Sequence, residues 1–254
     1  MLIYEKNDIE IKELHRGRGH YRSNPLEEFY TQILSDMKFK DFSKYFYKYY
    51  GEKVGMDLTN FPKEKIKLFF GYLQYATQET SLGINKLIKY DLLNGFAYFL
   101  GDKLYKLKSG GFGLSYFIYN QGSSKIFYFF DTVIKLFIGH MEILKTKLNG
   151  VKGNVFDVQN SAAERKLIGL GYGIKMYMTL LENCDYLISS GVLFSGSYRI
   201  WSQTLPKYSK VWWKDSSLDT GTKSDYNLID PNKTFDVKAR KIDYFVASIY
   251  HNKI

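Results

Sequence analysis

Residues 155–189 read VFDVQNSAAERKLIGLGYGIKMYMTLLENCDYLIS, and the fold turns on how this stretch is parsed. VFDV (155–158) has the composition of a strand, and the polar run after it leads to glycines at 169, 171 and 173. IKMYMTLLE (174–182) then sets Ile174, Tyr177, Met178 and Leu181 on one side of a helix. Glycines let a backbone approach a phosphate without a Cβ clash, and the first turn of a helix offers unpaired N–H groups at a positive dipole end. Arg165 and Lys166, just upstream, add full positive charges. A flexible turn would also account for the glycines. No Gly-Lys-Ser/Thr follows, so the stretch is not a P-loop. No acid stands where a dinucleotide-binding unit requires one.

The flanking sequence changes period around the glycine-rich break SGGFG (109–113). After it, 113–120, 125–131 and 133–146 read as consecutive strands, separated by NQGSS and by a tight turn at Asp131-Thr132, and NGVKGN (149–154) turns the chain into 155–158. Downstream, 185–191 reads as a strand, 194–208 as a helix and 209–215 as a returning strand, and 216–233 has the composition of an exposed loop. Before the break the period is helical. Asn24-Pro25 starts one helix, in which Glu27 and Glu28 suit the dipole and Leu26, Phe29, Tyr30, Ile33, Leu34 and Met37 recur at three- and four-residue steps. A second helix follows Pro62, a third covers 84–100, and LIYEKNDIEIKEL at the start alternates like a short strand. The expected organisation is a mainly helical N-terminal extension (1–108) joined to a mixed α/β domain (109–254).

The whole chain has 254 residues, 36 Lys or Arg against 26 Asp or Glu, and a net charge of +10, so its composition is that of a folded protein with an anionic partner. AT-biased coding explains the lysines equally well. It does not explain HRGRGHYR (15–22), which gathers Arg16, Arg18 and Arg22 out of six arginines in the chain. Guanidinium forks flanked by glycines suit phosphate, and nucleic acid is the candidate partner; a solvated loop paired to carboxylates is the competing reading. Lone Cys184 excludes an internal disulfide, and the acidic start lacks a secretory pattern, which makes the cytoplasm the expected compartment. The apolar run 126–140 carries Asp131 and Lys135 and falls short of the ~20 residues that span a bilayer, so no membrane is expected. No His/Cys set has metal spacing.

The glycine run resembles the acetyl-CoA signature of the GNAT superfamily of N-acetyltransferases: a Gln or Arg, two residues, Gly, one residue, Gly or Ala, then a helix with Tyr four residues past the last glycine. Gly171, Gly173 and Tyr177 fit that spacing, with Ile168 at the cation position; the alternative register, Lys166, Gly169 and Gly171, restores the cation and loses the helix spacing. Ser197, Trp201 and Leu205 resemble the Ser-x-x-x-Trp variant of GNAT-like bacteriophage proteins, where other members carry Tyr at the place of Trp201. The resemblance covers about 113–215. It implies a mostly antiparallel sheet flanked by helices, two central strands that splay, and acetyl-CoA or another acyl-CoA as donor to an amine acceptor. Val158 on the cofactor strand, Arg165, Lys166, Gly169, Gly171, Gly173 and Ile174 would hold the cofactor. Asp157, Glu164 or His140 would take the proton from the ammonium, and Tyr198 or Tyr177 would protonate the thiolate, since Trp201 cannot. Two other readings stay open: a GNAT-like binding protein that has lost transfer and acts on nucleic acid or a host protein, and an acyltransferase acting on DNA or tRNA. The arginine cluster predicts steeply salt-dependent binding to DNA or RNA, with a shallower log K against log salt slope once Arg16, Arg18 and Arg22 become Ala. Salt-insensitive binding by the intact chain would reject it.

Overall fold

The computed structural model describes residues 25–35, 37–54, 63–64, 66–67, 70, 90–148, 151–189, 193, 195–215, 226–233, 235 and 242–250. The arginine cluster (Arg16, Arg18, Arg22) and the strand expected near the start lie outside them. Strands β1 (Lys108–Ser109), β2 (Leu114–Gln121), β3 (Ser124–Asp131), β4 (Leu136–Thr146), β5 (Val155–Ala163), β6 (Tyr186–Ile188), β7 (Lys210–Asp215), β8 (Tyr226–Leu228) and β9 (Ile242–Ser248) form one nine-stranded sheet in the order β1-β2-β3-β4-β5-β6-β9-β7-β8. All described pairings are antiparallel except β5 with β6. Among the described residues, helices with defined bounds accompany it: α1 (Pro25–Leu34), α2 (Phe39–Val54), α3 (Tyr90–Leu100), α4 (Tyr172–Leu181) and α5 (Ser195–Arg199). The fold is therefore mixed α+β with a large, mostly antiparallel sheet.

Alternation along the strands distributes the aromatic side chains between two faces. Phe117, Tyr128, Phe130 and Phe137 join Phe29 and Tyr30 of α1, Phe42 and Phe46 of α2 and Phe96 of α3 in one buried cluster. Tyr116, Phe127, Phe129, Phe156 and Val158 point the other way, into a cluster with Tyr177 of α4, Tyr198 of α5, and Trp201. The helices of residues 25–100 thus share a core with β2–β4. A third, smaller cluster of Val155, Tyr186, Ile188, Trp212 and Val246 lies on the α1 side of the sheet beyond β5.

Element boundaries depart from the sequence expectations where side chains compete for backbone groups. The strand expected from 133 starts at Leu136 because Asp131 Oδ1 accepts the N–H groups of Val133 (2.9 Å) and Ile134 (3.1 Å), and the turn passes through Lys135 at φ 54. β5 runs five residues past VFDV, paired to β4 as far as Ala163 with Gly139. α4 begins at Tyr172, so Gly173 lies inside its first turn rather than ahead of it. The helix expected over 194–208 is α5, then a π turn at Ile200–Thr204 and a 3-10 turn at Leu205–Lys207. Part of the stretch expected as an exposed loop, 226–228, is β8.

Phe29 is fully buried at the centre of the helix–sheet contact, with ring centroids 5.1 Å from Phe137, 5.3 Å from Tyr128 and 6.0 Å from Phe130. Phe29→Ala is predicted to cost about 3–5 kcal/mol, read as a lower denaturation midpoint in urea. A cost near that of a surface substitution would show that α1 does not share the sheet's core.

Candidate functional site

The single parallel pair holds the main irregularity of the sheet. β5 and β6 are in register only at Val155 with Tyr186, Phe156 with Leu187 and Asp157 with Ile188. Past Ile188, the Ser189 N–H donates to the Phe245 carbonyl and the Ser189 hydroxyl accepts the Phe245 N–H, both at 2.9 Å, so the chain stays tied to β9 where its pairing with β5 has ended. β5 continues for six residues, 158–163, and among the described residues no strand pairs with its β6-facing edge. A register shift at Glu142/Ile143, where Ile143 pairs with Val158 and Glu142 with Asn160, leaves Gln159 as a bulge next to the point of divergence.

The open edge leads from β5 into the glycine turn. Arg165–Leu167 is a 3-10 turn; Ile168 and Leu170 are exposed; Gly169 and Gly171 adopt φ 87 and 81, where a side chain is strained. A Cβ at either glycine would meet no atom within 4 Å, so the dihedral and not the space demands glycine. Gly173 differs, because its Cβ would lie 2.8 Å from Ile200 Cδ1. No side chain caps the first turn of α4. Its first residue is fixed from outside: the Tyr172 hydroxyl donates to Asp131 Oδ2 (2.9 Å), and Lys175 Nζ lies 5.1 Å from the Tyr172 ring centroid. Burial raises the Tyr172 pKa, and the Asp131 contact raises it further.

Candidate proton-transfer groups are spread widely. Asp157 is half-buried on the α1 side of the sheet, with Oδ2 accepting from Gln159 Nε2 at 2.8 Å; among the described residues it makes no ion pair. Burial pushes its carboxyl up to about 6 despite the lowering effect of Gln159. Glu164 is buried at the far end of β5, roughly 20 Å along the strand from Asp157 at ~3.3 Å per residue, so the two cannot act on one proton. Tyr198 packs edge-on against Phe245 on the opposite face from Asp157. Tyr177, also buried there, brings its hydroxyl to 3.4 Å from Ser161 of β5 and its ring edge-on to Trp201 at 5.3 Å. Burial raises the Tyr177 pKa against contacts with Ser161, Trp201 and Ser197.

Val158 is buried and Ile174 partly buried against the same cluster, which leaves their backbones, rather than their side chains, for a ligand. Lys166 is exposed, and Arg165 opens the 3-10 turn that precedes the glycines. Three residues make contacts that the sequence did not signal: Ser189, Asp131 as the anchor of α4, and Glu28, which lies 2.9 Å from His140 Nε2 across 112 residues of chain. Among the described residues, no group of three His, Cys, Asp or Glu is placed to hold a metal ion, and no helix is long and apolar enough to cross a membrane. The chain matches no family model and no curated protein.

A carboxyl with a raised pKa binds its proton more tightly in the folded than in the unfolded chain. Its contribution to stability is therefore greatest at low pH and is lost as pH rises from the unfolded value near 3.8 to about 6. Asp157→Asn removes this dependence. The wild-type melting temperature minus that of the variant is predicted to fall between pH 4 and pH 7 and to level off above; a flat difference would contradict the burial assigned to this carboxyl.

Proposed function

We propose that the chain is an acyl-CoA-dependent N-acyltransferase of GNAT-like fold, moving an acetyl-type group to an amine by direct attack on the thioester. The observation that carries this reading is the β5 edge at 158–163, which no strand among the described residues pairs and which starts at a bulge and ends in a turn that feeds an uncapped helix. An extended amide-bearing arm such as pantetheine completes an open strand edge as a surrogate strand, because its amides match the donors and acceptors left there. The first-turn N–H groups of α4 at Tyr172, Gly173 and Ile174 are oriented for a diphosphate, and the left-handed Gly169 and Gly171 keep the turn bare. The Asp131 carboxylate does not repel it alone, since both oxygens accept hydrogen bonds from Tyr172, Val133 and Ile134.

The roles are assigned by position. Val158 and its neighbours offer backbone groups to the arm, and Lys166 supplies charge beside the turn. Tyr177 is better placed than Tyr198 to protonate the departing thiolate, because its hydroxyl reaches β5. One observation favours the second reading, a GNAT-like binding protein without transfer: Tyr177, Trp201 and Tyr198 are buried together beside the diverging strands, and Trp201 holds no exchangeable proton of suitable acidity.

Calorimetry with acetyl-CoA tests the reading. The wild type is predicted to bind in the micromolar range, and Gly171→Glu to abolish binding by straining a positive-φ site and placing a carboxylate beside the diphosphate. Absence of heat at millimolar ligand would overturn the transferase reading. Binding without any acyl transfer would favour the second.

A further inference from the structure

Glu28 is a first-turn residue of α1, and His140 lies on β4, buried to 3% exposure. Their side chains meet at 2.9 Å, Glu28 Oε2 to His140 Nε2. The other ring nitrogen, Nδ1, is buried and makes no hydrogen bond among the described residues. Around the ring, Tyr128 of β3 packs edge-on at 6.0 Å between centroids, and Asn160 Nδ2 of β5 approaches Nε2 at 3.5 Å. Glu142, two residues along on the same face of β4, lies close enough to Tyr128 for its charge, like that of Glu28, to raise the tyrosine pKa further above the effect of burial.

A carboxylate beside Nε2 selects the tautomer with hydrogen on Nε2 and leaves a lone pair on Nδ1. Buried polar atoms are almost always satisfied, so an orphan imidazole nitrogen in such a pair requires a chemical reason. A carboxylate that orients an imidazole and stabilises its charged form, leaving the second nitrogen to take a proton, is the arrangement of a general base. Its place fits that use, because Asn160, in contact with the ring, directly follows the Gln159 bulge where β5 leaves β6.

We propose that His140, oriented by Glu28, is the proton acceptor for the amine in the transfer; this rests on the N-acyltransferase reading. An N–H bond of the acceptor ammonium breaks and its proton goes to Nδ1, giving an imidazolium paired with Glu28. The freed lone pair forms the N–C bond at the thioester carbonyl carbon. The C–S bond then breaks and sulfur leaves with the bonding pair as thiolate; the Tyr177 hydroxyl gives it a proton and is restored by the surplus proton on the new amide nitrogen. Once the products leave, the imidazolium gives the Nδ1 proton to water, which restores the Nε2–H tautomer paired with Glu28. Ammonium and thioester thus become amide, thiol and one released proton. In this scheme α1 is part of the catalytic centre, not an appendage.

The dyad is tested first without any acceptor, by nitrogen NMR of the imidazole. The wild type is expected in the Nε2–H tautomer at neutral pH, and Glu28→Ala is expected to lose that preference. An Nδ1–H tautomer in the wild type, or one unaffected in the variant, would overturn the proposal. Transfer from acetyl-CoA to n-butylamine is then followed by thiol release. His140→Gln is expected to lower kcat about a hundredfold without raising the KM for acetyl-CoA, and added imidazole to restore part of the rate in His140→Ala. Wild-type rates in His140→Gln would sink the proton-acceptor role and leave the transferase reading standing. Failure of the wild type to bind acetyl-CoA would remove both.

Discussion

Two short hydrogen bonds decide what this sheet can do. Through its N–H and its hydroxyl, Ser189 ties the end of β6 to the backbone of Phe245 in β9, while among the described residues nothing pairs with β5 beyond Asp157 on that side. A sheet normally removes open edges by pairing, charging or covering them. Here, among the described residues, an internal strand is left open over 158–163, inside a nine-stranded sheet, with a bulge at one end and a helix N-terminus at the other. An open edge of this kind in the middle of a sheet offers a row of backbone donors and acceptors, which suits an extended chain far better than a compact ligand.

The surroundings hold that geometry in place. On one face, Tyr177, Trp201 and Phe245 pack edge to face and stacked, which ties α4 and the π turn after α5 to β9, while the Tyr177 hydroxyl lies 3.4 Å from Ser161 of β5. On the other, α1 anchors through Phe29 to β3 and β4 and delivers Glu28 to His140. The Asp131–Tyr172 bond fixes the start of α4 to the β3–β4 turn. The helices of the N-terminal region and the sheet are therefore one packing unit, and any chemistry on the α1 side of β5 inherits residues from both.

Much of the architecture was readable because it is local. The period-two runs at 114–131, the glycine turn and the aliphatic stripe of α4 follow from side-chain alternation and backbone freedom, which a sequence displays directly. The extent of β5 was not, because NSAA is polar on a strand that has no partner on one side, and the usual hydrophobic signal is missing there. The strand β9 and the Ser189 contact were hidden for a different reason: they depend on chain segments 56 residues apart meeting in register. Among the candidate site residues, Gly169 and Gly171 stood out by type and spacing, and Asp157 was named through the family resemblance. Glu28 was read as a dipole-suited residue only, since nothing in its neighbourhood marks a histidine more than 100 positions away.

The central claim is that the β6-facing edge of β5 awaits an extended ligand. Amide hydrogen exchange across 158–163 tests it most directly. Amides turned away from β4 should exchange quickly in the free protein and become protected when acetyl-CoA is added, while those of β3 stay unchanged throughout. Protection of those amides before any ligand is present, or no change on adding it, would contradict the account.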